Sequence, residues 1–432
     1  MATVVREAFE NHVKLVESRN SPGHVLASSE ASFFVADLND VVRKWAAWKE
    51  ALPDVTPFFA VKSSYDRRLI QTLATCGAGF DCASTEEIEL ILSLGIGAER
   101  IIFTHPCKPV SSLGLCRKLG ITLITFDNEC ELRKLHHHYP EAQTVLRVFA
   151  DDPTNADPLG TKFGAARDDF DGLVRLVKDL NMQLAGASFH AAPSVAVDAA
   201  AYVRGIRDAA EVFARARQVG LNPTVLDIGG GYTDSTFQQI AGAVRPAIAE
   251  CFKSEVGEGR LRILAEPGTL FSCSPFYLAV KVVARRVNAT AFGHEPATRL
   301  YINDGIYSNF MMRFIVNMTF SPAAVIREGV WHDQADHKMR GEACSLWGRS
   351  CDSNDCINRD CRLGPEVRVG DWLVFKDMGA YTTVCNTTFN GFTSSNHTIY
   401  LEPGTWNLEP GTWNPPKSTK PSRPLNSWPS ER

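Results

Sequence analysis

A short apolar run followed by a helical stretch repeats along the chain from Thr56 to about Gly268, and this alternation restricts the possible folds more than any other feature. The apolar runs, each of which predicts a buried strand, are TPFFAVK, AGFDCAS, RIIFTH, ITLITF, AQTVLRV, QLAGASFH, PTVLDIG and LRILAE. Helical patterns such as YVRGIRDAAEVFARARQVG lie between them. About eight strands over roughly two hundred residues predict an α/β fold with a closed parallel (β/α)8 TIM-like barrel.

The sequence changes character after Pro275. Strand-like runs with turns, such as FYLAVKVVARRV and VRVGDWLVF, predict a C-terminal, mostly antiparallel β domain, and the early run ASFFVADL predicts a strand that joins it. The tail repeats LEPGTWN in tandem before a stretch rich in Pro, Ser and Lys, a composition typical of disorder. The predicted divisions are an N-terminal segment at 1–39, the barrel at 40–275, the β domain at 276–400 and a disordered tail at 401–432.

Composition argues against several classes of protein. The 45 basic and 49 acidic side chains give a formal charge of -4, so nucleic acid is not an expected partner. The first residues carry charges throughout, unlike a signal peptide, and no later run is apolar for long enough to span a bilayer. The 12 cysteines then predict reduced thiols in a cytoplasmic protein. Cys351, Cys356 and Cys361 lack the Cys-x-x-Cys pairs of common zinc sites, so no metal is expected.

In a barrel of this kind the functional residues cluster at the carboxyl ends of the strands. The candidates at such ends are Lys62, Asp81, His105, His190, Gly229 to Gly231, and Glu266. An unpaired ammonium that closes an apolar strand is costly, and covalent attachment to an aldehyde would remove the charge of Lys62. Taken alone, Lys62 is more often a surface lysine whose ammonium reaches solvent.

The other candidates are ambiguous when they are taken one by one. Gly229, Gly230 and Gly231 could bring backbone N–H groups to a phosphate, although such runs usually mark only a tight turn. Glu266 could keep a proton on a pyridine nitrogen, or it could be a carboxylate at a turn. His190 could stack on a cofactor ring, or it could be a structural histidine.

Taken together and in this order, the motifs resemble the fold type III pyridoxal-phosphate decarboxylases of the eukaryotic ornithine decarboxylase type. The motifs are PFFAVK, GFDCAS, KFGA, SFH, LDIGGGY, AEPG, YINDGIY, CSLWGRSCDSND, VGDWLVFKDMGAYT and FNGF, and they cover about residues 25–400. The chain is also similar to the ornithine-decarboxylase-like members of fungal loline-alkaloid clusters. The resemblance implies pyridoxal 5'-phosphate as cofactor, decarboxylation of a small amino acid, and a homodimer with shared active sites.

Carried over by position, the resemblance implies roles for individual residues. Lys62 would bind the cofactor covalently, His190 would stack on its ring, and Glu266 would pair with its ring nitrogen. The full cofactor-binding set that it implies is Lys62, Asp81, His190, Ser194, Gly229, Gly230, Gly231, Glu266, Pro267, Gly268, Thr269 and Tyr381. Cys351 would return a proton to the α-carbon and Asp352 would hold a substrate amine, both across the dimer interface. Without the resemblance, Cys351 would be a buried thiol, Asp352 a turn residue and Tyr381 a core residue with a satisfied hydroxyl.

The sequence departs from the family pattern around the phosphate. Thr269 stands where the family has an arginine after Glu-Pro-Gly, and Pro158 stands where an arginine commonly precedes KFGA. The loop that contains Ser194 is one residue longer. Losing an ionic hydrogen bond costs about 1.5–3 kcal/mol, so we expect the affinity for the cofactor to be about ten- to a hundredfold weaker than is usual in the family. The hydroxyls of Thr269 and Ser194 would offset part of this loss.

A second departure concerns the substrate, because Ile315-Val316 occupies the place of the family's tyrosine-aspartate pair. A desolvated ammonium needs an anionic partner, so the sequence predicts that ornithine is a poor substrate compared with an enlarged or N-substituted diamino acid. The product would be an amine for alkaloid or polyamine-type metabolism. Two alternatives remain open: a catalytically silent regulatory binding protein, which the missing arginine favours, and a racemase with the same cofactor, which Cys351-Asp352 disfavours.

Overall fold

The computed structural model describes residues 3–18, 31–150, 162–191, 199–287, 296–334, 341–393 and 397–403. Within these ranges the chain forms a closed barrel of parallel strands and a second, nine-stranded sheet. The fold class expected from the sequence is therefore confirmed. The predictions about Pro158, Ser194 and the tail beyond residue 403 lie outside the described residues.

The barrel strands follow one another around the barrel in chain order, and the last pairs with the first. They are β2 (Val55–Ala60), β3 (Gly79–Cys82), β4 (Ile101–Phe103), β5 (Leu123–Phe126), β6 (Gln143–Val148), β7 (Gln183–Phe189), β8 (Val225–Asp227) and β9 (Arg262–Ala265). The barrel helices are α2 (Leu38–Ala51), α3 (Arg67–Cys76), α4 (Thr85–Ser93), α5 (Val110–Leu119), α6 (Glu129–His138), α7 (Phe170–Asp179), α8 (Ala199–Gln218), α9 (Phe237–Cys251), and the short α10 (Lys253–Gly257) and α11 (Thr269–Ser272).

Several helices begin within a few residues of the preceding strand because a capping side chain stands there. Asp66 Oδ1 accepts a hydrogen bond from the Leu69 N–H at 2.9 Å, and Ser84 Oγ accepts one from the Glu87 N–H at 3.2 Å. These caps satisfy N–H groups that the first helical turn leaves unpaired. The loops above β2 and β3 are therefore short and ordered, which keeps Lys62 and Asp81 at defined positions.

The barrel interior is built in layers. One apolar cluster consists of Phe58, Ile102, Leu123, Val145, Ala185, Val225 and Leu264. Side chains alternate between the two faces of a strand, so the residue two positions further along points into the same interior, one layer nearer the carboxyl end. Five of those seven next positions hold Thr104, Thr125, Arg147, Asp227 and Glu266, and the other two hold Ala60 and Ala187. The interior thus changes from apolar to polar at the carboxyl end of the barrel.

The second sheet has the order β13-β12-β16-β10-β11-β14-β15, with β1 beside β10 and β17 beside β1. Its strands are β1 (Phe33–Asp37), β10 (Phe276–Arg286), β11 (Thr298–Ile302), β12 (Ala324–Arg327), β13 (Val330–Asp333), β14 (Glu342–Trp347), β15 (Cys356–Leu363), β16 (Trp372–Phe375) and β17 (Thr398–Leu401). Most pairs are antiparallel, whereas β1–β17 and β11–β14 are parallel. Helix α1 (Thr3–Ser18) packs Phe9 against this sheet, and α12 (Met312–Ile315) is a single exposed turn.

Backbone hydrogen bonds join the β domain to the mouth of the barrel. The Gly379 N–H donates to the Cys273 carbonyl at 3.1 Å, and the Tyr381 N–H donates to the Ser63 carbonyl at 2.9 Å. The loop after β16 is therefore held next to the turn that contains Lys62. Within the described ranges, no helix combines the length and the apolar character needed to cross a bilayer.

Candidate active site

Lys62 lies in the short 3-10 turn Val61–Ser63, just beyond the end of β2. Its Nζ is 3.4 Å from Asp81 Oδ2, and 39% of its side chain is accessible, compared with 1% for Asp81. The charge of Asp81 raises the pKa of Lys62, although burial of the ammonium acts against it. The lysine therefore reaches an open space at the barrel mouth while Asp81 holds it as an ammonium.

Asp81 is anchored from the opposite side by the next strand, where the Thr104 hydroxyl donates to its Oδ1. Burial raises the pKa of Asp81, and the charge of Lys62 and the bond from Thr104 act to lower it. The position of this carboxylate is thus set by two partners. We take Asp81 to be the group that fixes both the direction and the protonation of Lys62.

Glu266 and His190 form a second buried pair, with 3.0 Å between Glu266 Oε2 and His190 Nδ1. Burial alone would raise the pKa of Glu266, but hydrogen bonds from His190 and Asp227 and the charge of Lys62 outweigh it and lower the pKa to about 2. Burial lowers the pKa of His190. At neutral pH the pair is therefore an ionised carboxylate and a neutral imidazole. The proton of the imidazole is on Nδ1 and is donated to Glu266. The Gly230 N–H also lies 3.3 Å from Nδ1, but a protonated nitrogen cannot accept a hydrogen bond from it.

Asp227 belongs to this site although the sequence analysis did not single it out. It is fully buried, and its Oδ1 accepts the Gly229 N–H at 3.0 Å. Burial and the neighbouring charge of Glu266 raise its pKa well above the ordinary value, which favours its neutral form. Its position two residues after Val225 was the signal that could have identified it, because that spacing directs the side chain into the barrel.

The glycine turn lies directly against the Glu266–His190 pair. Gly229 has φ +66° and Gly231 has φ +92°, a backbone region that residues with a side chain rarely adopt. A Cβ added to Gly230 would lie 2.6 Å from the Glu266 carbonyl oxygen and 2.8 Å from His190 Cε1. The Tyr202 hydroxyl supports the turn from below by donating to the Gly230 carbonyl at 2.6 Å. No side chain fits here, so the backbone itself forms the surface of the site.

The Glu-Pro-Gly segment and Tyr381 surround the turn of Lys62. The Ala60 N–H donates to the Pro267 carbonyl at 3.3 Å, and a Cβ at Gly268 would lie 3.0 Å from Ser63 Cβ. Tyr381 has φ +54°, a strained value for a residue with a side chain that costs about 1–3 kcal/mol. Thr269 follows at the start of α11 with its side chain half-exposed. The structure thus brings these predicted site residues close to Lys62, and the weaker cofactor binding expected from Thr269 stays a prediction.

The predicted substrate residues lie apart from this cluster within one chain. Cys351 is exposed on the loop between β14 and β15, and its N–H donates to Asn390 Oδ1 at 2.9 Å. Asp352 accepts a hydrogen bond from the Tyr307 hydroxyl, which is the main reason that its pKa is lowered. Ile315 and Val316 are each 56% exposed. In the parts of the chain that the structure describes, no hydrogen bond or ion pair connects the Cys351–Asp352 loop with the Lys62 cluster.

The residues of the barrel mouth fit pyridoxal phosphate by their chemistry. An amine on Lys62 can bind an aldehyde, an ionised Glu266 can hold a protonated pyridine nitrogen, and the side-chain-free turn at Gly230 leaves its backbone open to a phosphate. The described residues contain no group of three or more His, Cys, Asp or Glu side chains arranged to hold a metal ion.

Comparisons with known proteins give a consistent result. The family described as "Pyridoxal-dependent decarboxylase, pyridoxal binding domain" matches residues 38–273. The amino acid decarboxylase lolD2 of Epichloe uncinata is 99% identical over 405 residues, covering 94% of this chain and 98% of that protein. Ornithine decarboxylase of Neurospora crassa is 37% identical over 93% of this chain and 86% of its own length. The crystal structure of Paramecium bursaria Chlorella virus arginine decarboxylase bound to agmatine has a TM-score of 0.77 and 32% identity, over 86% of this chain and 97% of that chain.

Proposed function

This chain belongs to the pyridoxal-dependent decarboxylases of the ornithine decarboxylase type, and we propose that within this family it acts on an enlarged or N-substituted diamino acid in preference to ornithine. Its cofactor is pyridoxal phosphate, and its reaction is the decarboxylation of an amino acid. Two observations carry the substrate proposal: the pKa of Asp352 is lowered, and Ile315 and Val316 present apolar side chains where the family has a tyrosine and an aspartate.

When bound, pyridoxal phosphate supplies a ring that accepts the electron pair left on the α-carbon after carbon dioxide departs. We propose that Lys62 binds the cofactor covalently and that Asp81 orients this lysine. Glu266, ionised over the whole physiological range, holds a proton on the ring nitrogen, and neutral His190 packs on the ring without adding charge. Asp227, whose raised pKa favours its neutral form, lies beside Glu266 without adding a second negative charge.

The ionisation of Lys62 gives a testable consequence of this arrangement. Only the neutral amine attacks an aldehyde, and the charge of Asp81 is the main cause of the raised pKa of Lys62. In cofactor-free protein, Asp81→Asn should therefore lower the pH at which pyridoxal phosphate is taken up rapidly, by about 1–3 pH units. The rate at which visible absorption develops after mixing, measured across the neutral and alkaline range, checks this shift.

Asp227→Asn is the matched control, because the raised pKa of Asp227 favours its neutral form, which the amide mimics. It should leave the pH dependence of uptake close to that of the wild type. An equal shift in both variants, or none in Asp81→Asn, contradicts the assignment of Asp81.

We further propose a homodimer in which the Cys351–Asp352 loop of one subunit completes the barrel mouth of the other. The exposed Cys351 and the half-buried Asp352 support this, since neither has a hydrogen bond or ion pair with Lys62 in its own chain. The β domain also exposes large apolar side chains, which mark association surfaces when they cluster. These side chains are Phe314, Ile315, Val316, Met318, Phe389 and Phe392. We also propose a cytoplasmic location, which is consistent with 12 cysteines that form no disulfide in the structure.

The charges around the proposed substrate site favour an amine that carries carbon substituents. Asp352 is anionic and held by Tyr307, so one cationic amine can be paired there. Ile315 and Val316 offer only apolar surface, and the charged residue of the same helical turn is Arg313, a cation that donates a hydrogen bond to the Asn317 carbonyl. A primary ammonium beside these side chains would lose hydration without gaining a partner, whereas alkyl groups on nitrogen would gain apolar contact.

Restoring an acid at position 316 should therefore shift substrate preference toward ornithine. Val316→Asp is expected to raise the ratio of kcat/KM for ornithine over that for an N-alkylated diamino acid by about ten- to a hundredfold, since one charged hydrogen bond is regained. Carbon dioxide release from ornithine, lysine and N-alkylated analogues measures the ratio. Val316→Asn, which has the same shape without the charge, should change it little. A wild-type protein that clearly prefers ornithine refutes the altered-site proposal.

A further inference from the structure

Two buried cysteines face each other in the β14–β15 hairpin, outside the residues that the proposed reaction uses. Cys344 on β14 and Cys361 on β15 are direct partners in the antiparallel register, so their side chains lie on the same face of the sheet. Their Sγ atoms are 3.4 Å apart, which is within hydrogen-bonding distance for sulfur. Both residues are buried, with 2% of Cys344 and 7% of Cys361 accessible. The fold itself therefore holds these two thiols in contact.

The pairing of the two strands meets the backbone requirement for a disulfide. Directly opposed residues of an antiparallel pair have Cα atoms about 4.5–5.5 Å apart, and disulfides bridge Cα separations of about 4.4–6.8 Å. The two sulfur atoms have to approach from 3.4 Å to about 2.05 Å, and rotation of the side chains about their Cα–Cβ bonds supplies such a movement. The strands therefore need no change of register to be joined here.

The other cysteines of the hairpin have different surroundings. Cys356 lies opposite Trp347 in the register, and its Sγ is 3.7 Å from the Leu346 carbonyl oxygen. Cys351 is exposed on the loop between the two strands. Proximity therefore favours the pair of Cys344 with Cys361 over a pair that includes either of these cysteines.

The hydrogen bonds of the pair indicate which sulfur reacts first. The Cys361 thiol donates to the Cys344 carbonyl at 3.3 Å, so the Cys344 thiol is the donor between the two sulfur atoms. That hydrogen bond is the main cause of the raised pKa of Cys344, followed by burial. A donor directed at the Cys361 sulfur favours its thiolate, the form that attacks an oxidant. Cys361 is also the more exposed of the two, and β15 is the last strand in the order of the sheet.

We infer that Cys344 and Cys361 form an oxidisable dithiol, which hydrogen peroxide converts into a disulfide across the β14–β15 hairpin. The Cys361 thiolate attacks one peroxide oxygen, the O–O bond breaks, and the other oxygen leaves as water after taking up the thiol proton. The Cys344 sulfur then attacks the sulfur of the resulting sulfenic acid, loses its proton, and displaces the hydroxyl as a second water. Each thiol gives up one electron, and the peroxide is reduced to water.

The cross-link would enclose the loop that carries Cys351 and Asp352. This loop lies between Cys344 and Cys361 in the chain, so a disulfide between them closes a ring that contains it. Ring closure removes conformational freedom from the enclosed segment. Disulfide formation requires neither the cofactor nor a second subunit, so its failure would leave the proposed function intact.

Peptide mapping of the folded, full-length protein tests for this disulfide. Trypsin cleaves after arginine, so Cys344 falls in the peptide 341–349 and Cys361 in the peptide 360–362, whereas the peptide 350–359 carries the other two cysteines of the hairpin. The protein is treated with hydrogen peroxide, denatured in N-ethylmaleimide to block the remaining thiols, and digested without reductant. Mass spectrometry should then show 341–349 joined to 360–362, with a loss of two hydrogens from their summed mass. Dithiothreitol should release both peptides, and protein without peroxide should give them separately.

Cys344→Ala and Cys356→Ala are matched variants, because each removes one buried thiol of the same hairpin. Cys356→Ala should form the joined peptide as the wild type does. Cys344→Ala should yield Cys361 in an unlinked peptide, since its partner sulfur is missing. Circular dichroism melting checks that both variants are folded, and the mapping of the wild-type protein stands even where a variant is not.

Two results overturn the inference. Joining of 360–362 to 350–359 in place of 341–349 shows that Cys361 has a different partner. Recovery of Cys344 and Cys361 as blocked thiols, after a treatment that oxidises the exposed Cys351, shows that their contact is a packing contact without redox reactivity.

Discussion

Lys62→Ala is expected to abolish the visible absorption of the protein in the presence of pyridoxal phosphate and to reduce carbon dioxide release by about 10³-fold or more. The amine at position 62 reaches the open space at the barrel mouth, and it is oriented by Asp81 at 3.4 Å. Without it the cofactor has no covalent attachment, although Glu266 and the glycine turn can still hold it weakly. Absorption spectra and a carbon dioxide release assay on the same preparations measure both effects.

Two further variants show whether the loss comes from chemistry or from charge. Lys62→Arg keeps a cation beside Asp81 but offers no amine that bonds an aldehyde, so it should lose as much as Lys62→Ala. Lys118→Ala changes an exposed lysine in the last turn of α5 and should match the wild type. Retained carbon dioxide release in Lys62→Arg contradicts a covalent role for Lys62. A wild type with neither absorption nor activity points instead to the silent binding protein.

Mixing two inactive variants should restore activity. Cys351→Ala is expected to lose about 10²-fold, as a lost proton donor would. Co-expression of Lys62→Ala with Cys351→Ala should then recover about a quarter of the wild-type sites, because half of the dimers are mixed and each mixed dimer has one site with both groups intact. The physical reason is that Cys351 is exposed and has no contact with the Lys62 cluster of its own chain.

The structure also provides the matched negative control for this experiment. Cys351 and Asp352 lie on one loop, so Cys351→Ala mixed with Asp352→Ala places a defect in each site of every mixed dimer. That mixture should stay inactive, with dimer formation checked by size-exclusion chromatography. Recovery in both mixtures, or in neither, is inconsistent with active sites shared between subunits.

The barrel and its main site residues could be predicted from the sequence because both depend on local patterns. The alternation of apolar runs with helical stretches identified each barrel strand, and the rule that function lies at strand ends identified Lys62, Asp81, His190 and Glu266. Lys62 itself differs slightly, since β2 ends at Ala60 and the lysine lies in the following turn. Element ends depend on individual hydrogen bonds, which a periodic pattern does not contain.

Asp227 and Arg147 were missed because their position in the barrel interior depends on which strand face closes inward. A single aspartate in VLDIGGG or arginine in QTVLRV carries no local signal of that kind. Only closure of the barrel shows that both lie one layer above apolar interior residues.

The linear order of residues was enough to establish the fold class, the family and the chemical types present at the barrel mouth, because strand periodicity and short motifs are local properties of a chain. The sequence did not reveal how the pKa values of those groups are shifted. The pKa of Glu266 is lowered while that of Asp227 is raised, although both are buried carboxyl groups at strand ends, because their hydrogen-bond partners and neighbouring charges differ. Such differences arise from distances across the barrel between residues that are far apart in the chain, and these distances exist only once the eight strands have closed.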